Sequence, residues 1–150
     1  MSNTIILKNY NNNFEEFTAA SVIKAGNLVQ QIANGSIQNH ALLGGSVLPM
    51  FAKEDSLQGK GIEDSYAIGD KVTVWIPIRG DLVNATLANN EVVVIGDFLV
   101  SNGDGTLKKL VVAAAADAEY ANAIVGVATK AVDMSTATDP DFGHISVRIL

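Results

Sequence analysis

Glycine followed by Asp or Asn recurs along this chain, at Gly26-Asn27, Gly69-Asp70, Gly80-Asp81, Gly96-Asp97 and Gly103-Asp104-Gly105, each time between β-branched runs. Glycine adopts positive φ without steric cost, and an adjacent Asp or Asn side chain can bond nearby backbone, so such dipeptides reverse the chain tightly. Reversals this frequent leave room for short strands and little for long helices. The clearest strand spans residues 71–79, where Val72, Val74, Ile76 and Ile78 alternate with Lys71, Thr73, Trp75, Pro77 and Arg79. That alternation predicts one core face and one mixed face. Pro77 cannot donate a ladder hydrogen bond, which predicts an edge or a bulge at the strand's end.

Further strands are expected at residues 27–32, 91–95, 98–101, 106–113, 124–132 and 144–150. In the last of these, Ile145, Val147 and Ile149 alternate with His144, Ser146 and Arg148, which ties the C-terminal residues into a sheet. Two short helices are predicted, at 82–90 with Leu82, Val83 and Leu87 on one side, and at 113–123, where alanine is abundant. Residues 33–64 hold weak hydrophobic runs and many glycines, so they read as a long excursion with one β-hairpin. The expected fold is all-β: a compact sandwich or β-tulip-like barrel with at most one or two short helices.

Residues 1–20 differ in style, with Ile5, Leu7, Tyr10, Phe14 and Phe17 set around the triplet Asn11-Asn12-Asn13. Two readings stand side by side: an extended N-terminal arm crossing a surface, with residues 21–150 as one β-rich domain, or an ordinary first strand and turn. Trp75, the single tryptophan, also has two readings. It fills a second core layer, or it anchors a partner at an interface, where tryptophan is enriched.

At 150 residues the chain has the size of one domain. Only 17% of its residues are charged while 48% are hydrophobic, which argues against a long disordered region and for surface covered by another subunit or partner. The net charge of −6, with no basic cluster longer than Lys108-Lys109, argues against nucleic-acid binding. With no cysteine there is no disulfide, thiolate metal site or cysteine nucleophile. The residues after Met1 lack a signal-peptide pattern and no apolar run reaches bilayer length, so a soluble chain made in the cytoplasm is expected, with no membrane association.

Candidate chemistry is thin. His40 and His144 stand in no metal-ligand spacing, and Ser46 in Gly44-Gly45-Ser46-Val47-Leu48 lacks the closing glycine of a nucleophile elbow. Gly59-Lys60-Gly61 lacks the hydroxyl residue of a phosphate loop. Aligning Gly105 with the invariant glycine of a calcium loop puts Val100 and Val111 where carboxylates are needed. Asp70, Asp81, Asp97 and Asp104 therefore read as turn formers, Arg79-Gly80-Asp81 as a strand end, and the chain as a non-enzyme without metal or cofactor.

One resemblance sharpens this reading. Tyr66-Ala67-Ile68-Gly69-Asp70-Lys71-Val72, then Pro77-Ile78-Arg79-Gly80-Asp81, Ala85-Thr86-Leu87-Ala88, Gly96-Asp97-Phe98-Leu99, residues 101–107 and Val125-Gly126-Val127-Ala128 follow in an order that resembles the capsid decoration, or cement, proteins of tailed bacteriophages. The likeness covers residues 66–132, with a weaker match at 25–29, and it rests on order and spacing. It implies a β-tulip or related sandwich on the outer surface of the expanded head, bridging subunits of the major capsid protein and commonly trimeric. An N-terminal arm often makes the capsid contact in such proteins, so Ile5, Leu7, Tyr10, Phe14, Phe17 and Trp75 are the expected interface. The family has no catalytic residue to carry over. A head-fibre base or tail protein, and a carbohydrate- or small-ligand-binding β module built on Trp75 and the excursion at 33–64, are the alternatives.

Overall fold

The computed structural model describes residues 2–45, 47–111 and 123–150. Fifteen strands lie among them: β1 (Ile6–Lys8), β2 (Phe14–Ala19), β3 (Ile23–Lys24), β4 (Val29–Ala33), β5 (Ser36–Asn39), β6 (Phe51–Ala52), β7 (Ser65–Tyr66), β8 (Lys71–Trp75), β9 (Leu82–Thr86), β10 (Val92–Val93), β11 (Phe98–Ser101), β12 (Leu107–Lys109), β13 (Ile124–Ala128), β14 (Val132–Asp133) and β15 (His144–Ile149). One 3-10 turn, Ser56–Gln58, is added to these. The fold is all-β, as expected, with open sheets.

Three of the Gly-Asp dipeptides close the same four-residue turn. The amide of Ala67 donates to the Asp70 carboxylate at 2.9 Å, that of Ile78 to Asp81 at 2.9 Å, and that of Val94 to Asp97 at 2.9 Å. Each aspartate amide returns the bond to the carbonyl three residues back, at 3.1, 3.1 and 3.2 Å. The intervening Gly69, Gly80 and Gly96 have φ of +88°, +96° and +94°, the left-handed backbone that the third position of a type II turn requires. Side chain and main chain thus lock each reversal twice.

The 78–81 turn joins the two principal sheets through β8 and β9, and the other two turns lead into them from small ribbons. A six-stranded antiparallel sheet has the order β1-β9-β15-β13-β11-β12, and a five-stranded sheet the order β4-β5-β2-β8-β6. In the latter β2 runs antiparallel to β8 and parallel to β5. Two small ribbons, β10-β14 and β3-β7, complete the topology. The larger core joins Ile5, Leu28, Leu99, Val125 and Ile145 with Trp75 and Phe51, which reach in from the five-stranded sheet. A second core, with Phe17, Ile37, Val72 and Val74, lies on the other face of β8. The alternation along residues 71–75 therefore serves two cores, which is why both faces are apolar where the sheets meet.

Several expectations change. Residues 82–90 form no helix: β9 lies between β1 and β15, and Val83, Ala85 and Leu87 enter the core at a period of two. Partners on both sides outweigh the weak helical preference of this segment. The expected strand at 124–132 is two strands, β13 and β14, and the excursion at 33–64 supplies β5, β6 and a hairpin whose first strand, β4, already begins at Val29. Residues 1–20 contribute β1 to one sheet and β2 to the interior of the other. Most of the helix expected at 113–123 lies outside the described residues.

Candidate functional site

Six residues were singled out for partner contact, and the fold divides them. Ile5 and Trp75 are fully buried in the larger core, and Phe17 is buried in the second. The indole Nε1 of Trp75 has no hydrogen-bond partner among the described residues, and the ring is enclosed in the larger core, which agrees with the core reading of this residue. Leu7 is half-buried at a cavity shared with Asn84, Lys130 and His144. Only Tyr10 and Phe14 are exposed, at 62% and 41%.

Both are held by the backbone around them. The Tyr10 amide donates to Asp81 at 2.8 Å, using the carboxylate oxygen that the 78–81 turn leaves free. Lys8 Nζ lies 5.7 Å from the centroid of the Tyr10 ring, within cation–π range. Phe14 begins β2 opposite Trp75, and the Ile76 amide donates to the carbonyl of Asn13 at 2.8 Å. Phe14 lines a cavity of about 310 Å³ with Lys53, Asp55, Ser56, Leu57 and Thr73. Leu57 projects from the 3-10 turn with 96% of its surface exposed. Sequence reasoning missed Leu57. Its signal is a lone leucine in the polar run Glu54-Asp55-Ser56-Leu57-Gln58, where no apolar period calls for it.

Several polar groups elsewhere pair with one another. His144 Nε2 and Lys24 Nζ each lie 2.7 Å from a carboxylate oxygen of Glu63. Chiefly the Lys24 contact holds the Glu63 carboxyl below its ordinary range, against the opposing effect of burial and with a further contribution from His144. The Val94 amide, with Lys109 Nζ at 3.1 Å, does the same for Asp97. His40 Nδ1 and Ser101 Oγ lie 2.6 Å apart, but Ser101 is fully buried and its oxygen also accepts the Gly103 amide at 3.1 Å. That pair pins a turn and presents no nucleophile to solvent. No group of three or more His, Asp or Glu side chains suited to a metal ion occurs among the described residues. No helix among them is long and apolar enough to cross a membrane. The arrangement presents apolar and aromatic side chains on a hydrogen-bonded β frame, which suits binding.

No family model matches the sequence, and no curated protein matches it. Among solved structures, the chain is similar to the N base of the head fiber protein gp8.5 of bacteriophage phi29, with a TM-score of 0.59 and 15% identity. The likeness covers 93% of this chain and 95% of that one. At this identity it establishes a shared fold, extending almost end to end.

Proposed function

We propose that this chain is a non-enzymatic structural protein of a tailed-bacteriophage virion, made in the host cytoplasm and seated on the outer surface of the head, where it binds the major capsid protein. The observation that carries this reading is the near-complete overlap in fold with a head-fiber base. It agrees with the independent likeness of residues 66–132 to decoration proteins. Tyr10, Phe14 and Leu57 supply the exposed apolar contacts, and Asp81 fixes the backbone that presents Tyr10. Each copy would favour the assembled lattice over free capsid subunits, so many weak contacts together stabilise the shell.

Two forms of the reading differ in what the protein carries. A cement protein ends at the shell, whereas a fiber base supports further protein. The end-to-end overlap with a fiber base favours the second form. A carbohydrate module centred on Trp75 loses its anchor, because that ring is enclosed. The test is binding of purified protein to heads stripped of it. Wild-type chain re-binds at saturable density, and the double variant Tyr10→Ala/Leu57→Ala, folded by circular dichroism, re-binds at least tenfold more weakly. Equal re-binding by the variant would remove these residues from the interface, and no binding by the wild type would remove the reading itself.

A further inference from the structure

Two Asn-Gly pairs occur in the chain, Asn34-Gly35 and Asn102-Gly103. In such a pair the glycine amide nitrogen can attack the side-chain carbonyl of the asparagine, because no Cβ on the glycine shields the approach. The fold treats the two pairs differently. Asn102 and Gly103 are half-buried. The Gly103 amide donates to Ser101 Oγ at 3.1 Å, Asn102 Nδ2 to Thr106 Oγ1 at 3.3 Å, and the Asn102 amide to the Thr106 carbonyl at 2.9 Å. A Cβ at Gly103 would stand 3.2 Å from the Leu43 amide nitrogen, so this turn is both bonded and crowded. Asn34 and Gly35 instead form the two-residue turn between β4 and β5, closed by the pairing of Ala33 with Ser36. Both are exposed. Neither the Asn34 side chain nor the Gly35 amide has a hydrogen-bond partner among the described residues. Gly35 has φ of +76°, and beyond its chain neighbours no atom would lie within 4 Å of a Cβ there. The nucleophile is free, and the peptide it belongs to has room to turn.

We infer that Asn34-Gly35 is a modification site, where the asparagine deamidates spontaneously while Asn102-Gly103 is spared. The Gly35 amide nitrogen gives up its proton and bonds to Cγ of Asn34. The Cγ–Nδ2 bond breaks, and ammonia leaves with that proton. One water then opens the cyclic succinimide at either carbonyl, leaving an aspartyl or an isoaspartyl linkage. No oxidant or reductant enters, and the chain, of net charge −6, gains one further negative charge. The isoaspartyl product also inserts a methylene into the main chain directly before Gly35, whose carbonyl accepts the Thr18 amide of β2 at 2.8 Å. Modification of an exposed turn thereby reaches the parallel pairing of β2 with β5.

The test incubates the purified full chain in mildly alkaline buffer at physiological temperature and follows both sites by peptide mapping with mass spectrometry. It needs no capsid, so its outcome is independent of the virion reading. The peptide carrying Asn34 gains about 1 Da and splits into two chromatographic species, faster as pH rises, since the attacking amide must lose its proton. The peptide carrying Asn102 converts about tenfold more slowly, because the hydrogen bonds of its turn must break first. In the urea-unfolded chain the two pairs convert at similar rates, because the distinction lies in the fold. Asn34→Gln, whose longer side chain disfavours ring closure, removes the acidic species that isoelectric focusing resolves and keeps the β-type circular dichroism. An Asn34 that stays intact in the folded chain, equal conversion of both pairs there, a rate difference that survives unfolding, or an acidic species undiminished in Asn34→Gln would each overturn the inference.

Discussion

Asp81 shows how much one turn residue carries. It is fully buried, and its two carboxylate oxygens accept the Ile78 amide at 2.9 Å and the Tyr10 amide at 2.8 Å, joining a turn to the N-terminal residues. Asp81→Ala strands both donors, and urea denaturation should register a loss of about 3 kcal/mol. Asp70, less buried and holding a single side-chain bond to the Ala67 amide, should lose only about 1 kcal/mol as Asp70→Ala. The same motif in two settings separates its local worth from its long-range worth. Tyr66 makes a pH-dependent counterpart. Burial, chiefly, pushes its phenol up to about 12, and its hydroxyl donates to the Lys53 carbonyl at 2.6 Å. A pKa raised on folding gives stability that is complete below the unfolded value near 10 and is lost as pH rises toward 12. Denaturation midpoints of the wild type should fall more steeply over that interval than those of Tyr66→Phe.

At the scale of elements, β13 and β15 approach each other closely at Gly126. A Cβ at Gly126 would stand 2.4 Å from the Arg148 carbonyl oxygen and 2.5 Å from a methyl carbon of Val147, both in β15. Gly126→Ala should therefore push β15 aside and lower stability by about 1–3 kcal/mol, readable as a drop in thermal midpoint with little change in the circular dichroism spectrum. Deleting residues 1–17 should do far more, since it removes β1 and most of β2, the strand between β5 and β8. Loss of cooperative unfolding is expected, and a stable, β-rich truncated chain would show that residues 1–17 are dispensable to the fold. These elements also mark where sequence reading succeeded. β15 alternates polar and apolar residues over all six of its positions and β8 over its first four, so their period is visible. β9 was hidden because Asn84 and Ala85 carry little strand preference, while Leu82, Val83 and Leu87 fit one side of a helix. In β2 the pair Glu15-Glu16 interrupts the apolar residues, and only Phe17 and Ala19 turn fully inward.

Taken whole, the molecule is a two-sheet β frame whose Asp-locked turns were legible because each needs a glycine and an aspartate side by side. The candidate contact surface was legible only in part. A large apolar residue is equally at home in a core or at an interface, so Ile5, Phe17 and Trp75 could not be told from Tyr10 and Phe14 until the sheets were assembled. Leu57 escaped because a single leucine makes no pattern. The proposed seat of the chain is the outside of a phage head. Cryo-electron microscopy of purified virions, compared with virions lacking this chain, tests it most directly. Density for a two-sheet β domain is expected on the outer capsid surface, with Tyr10, Phe14 and Leu57 toward the shell, and it should vanish in the particles lacking the chain. Virions without such density, or with the domain inside the head or on the tail, would contradict it.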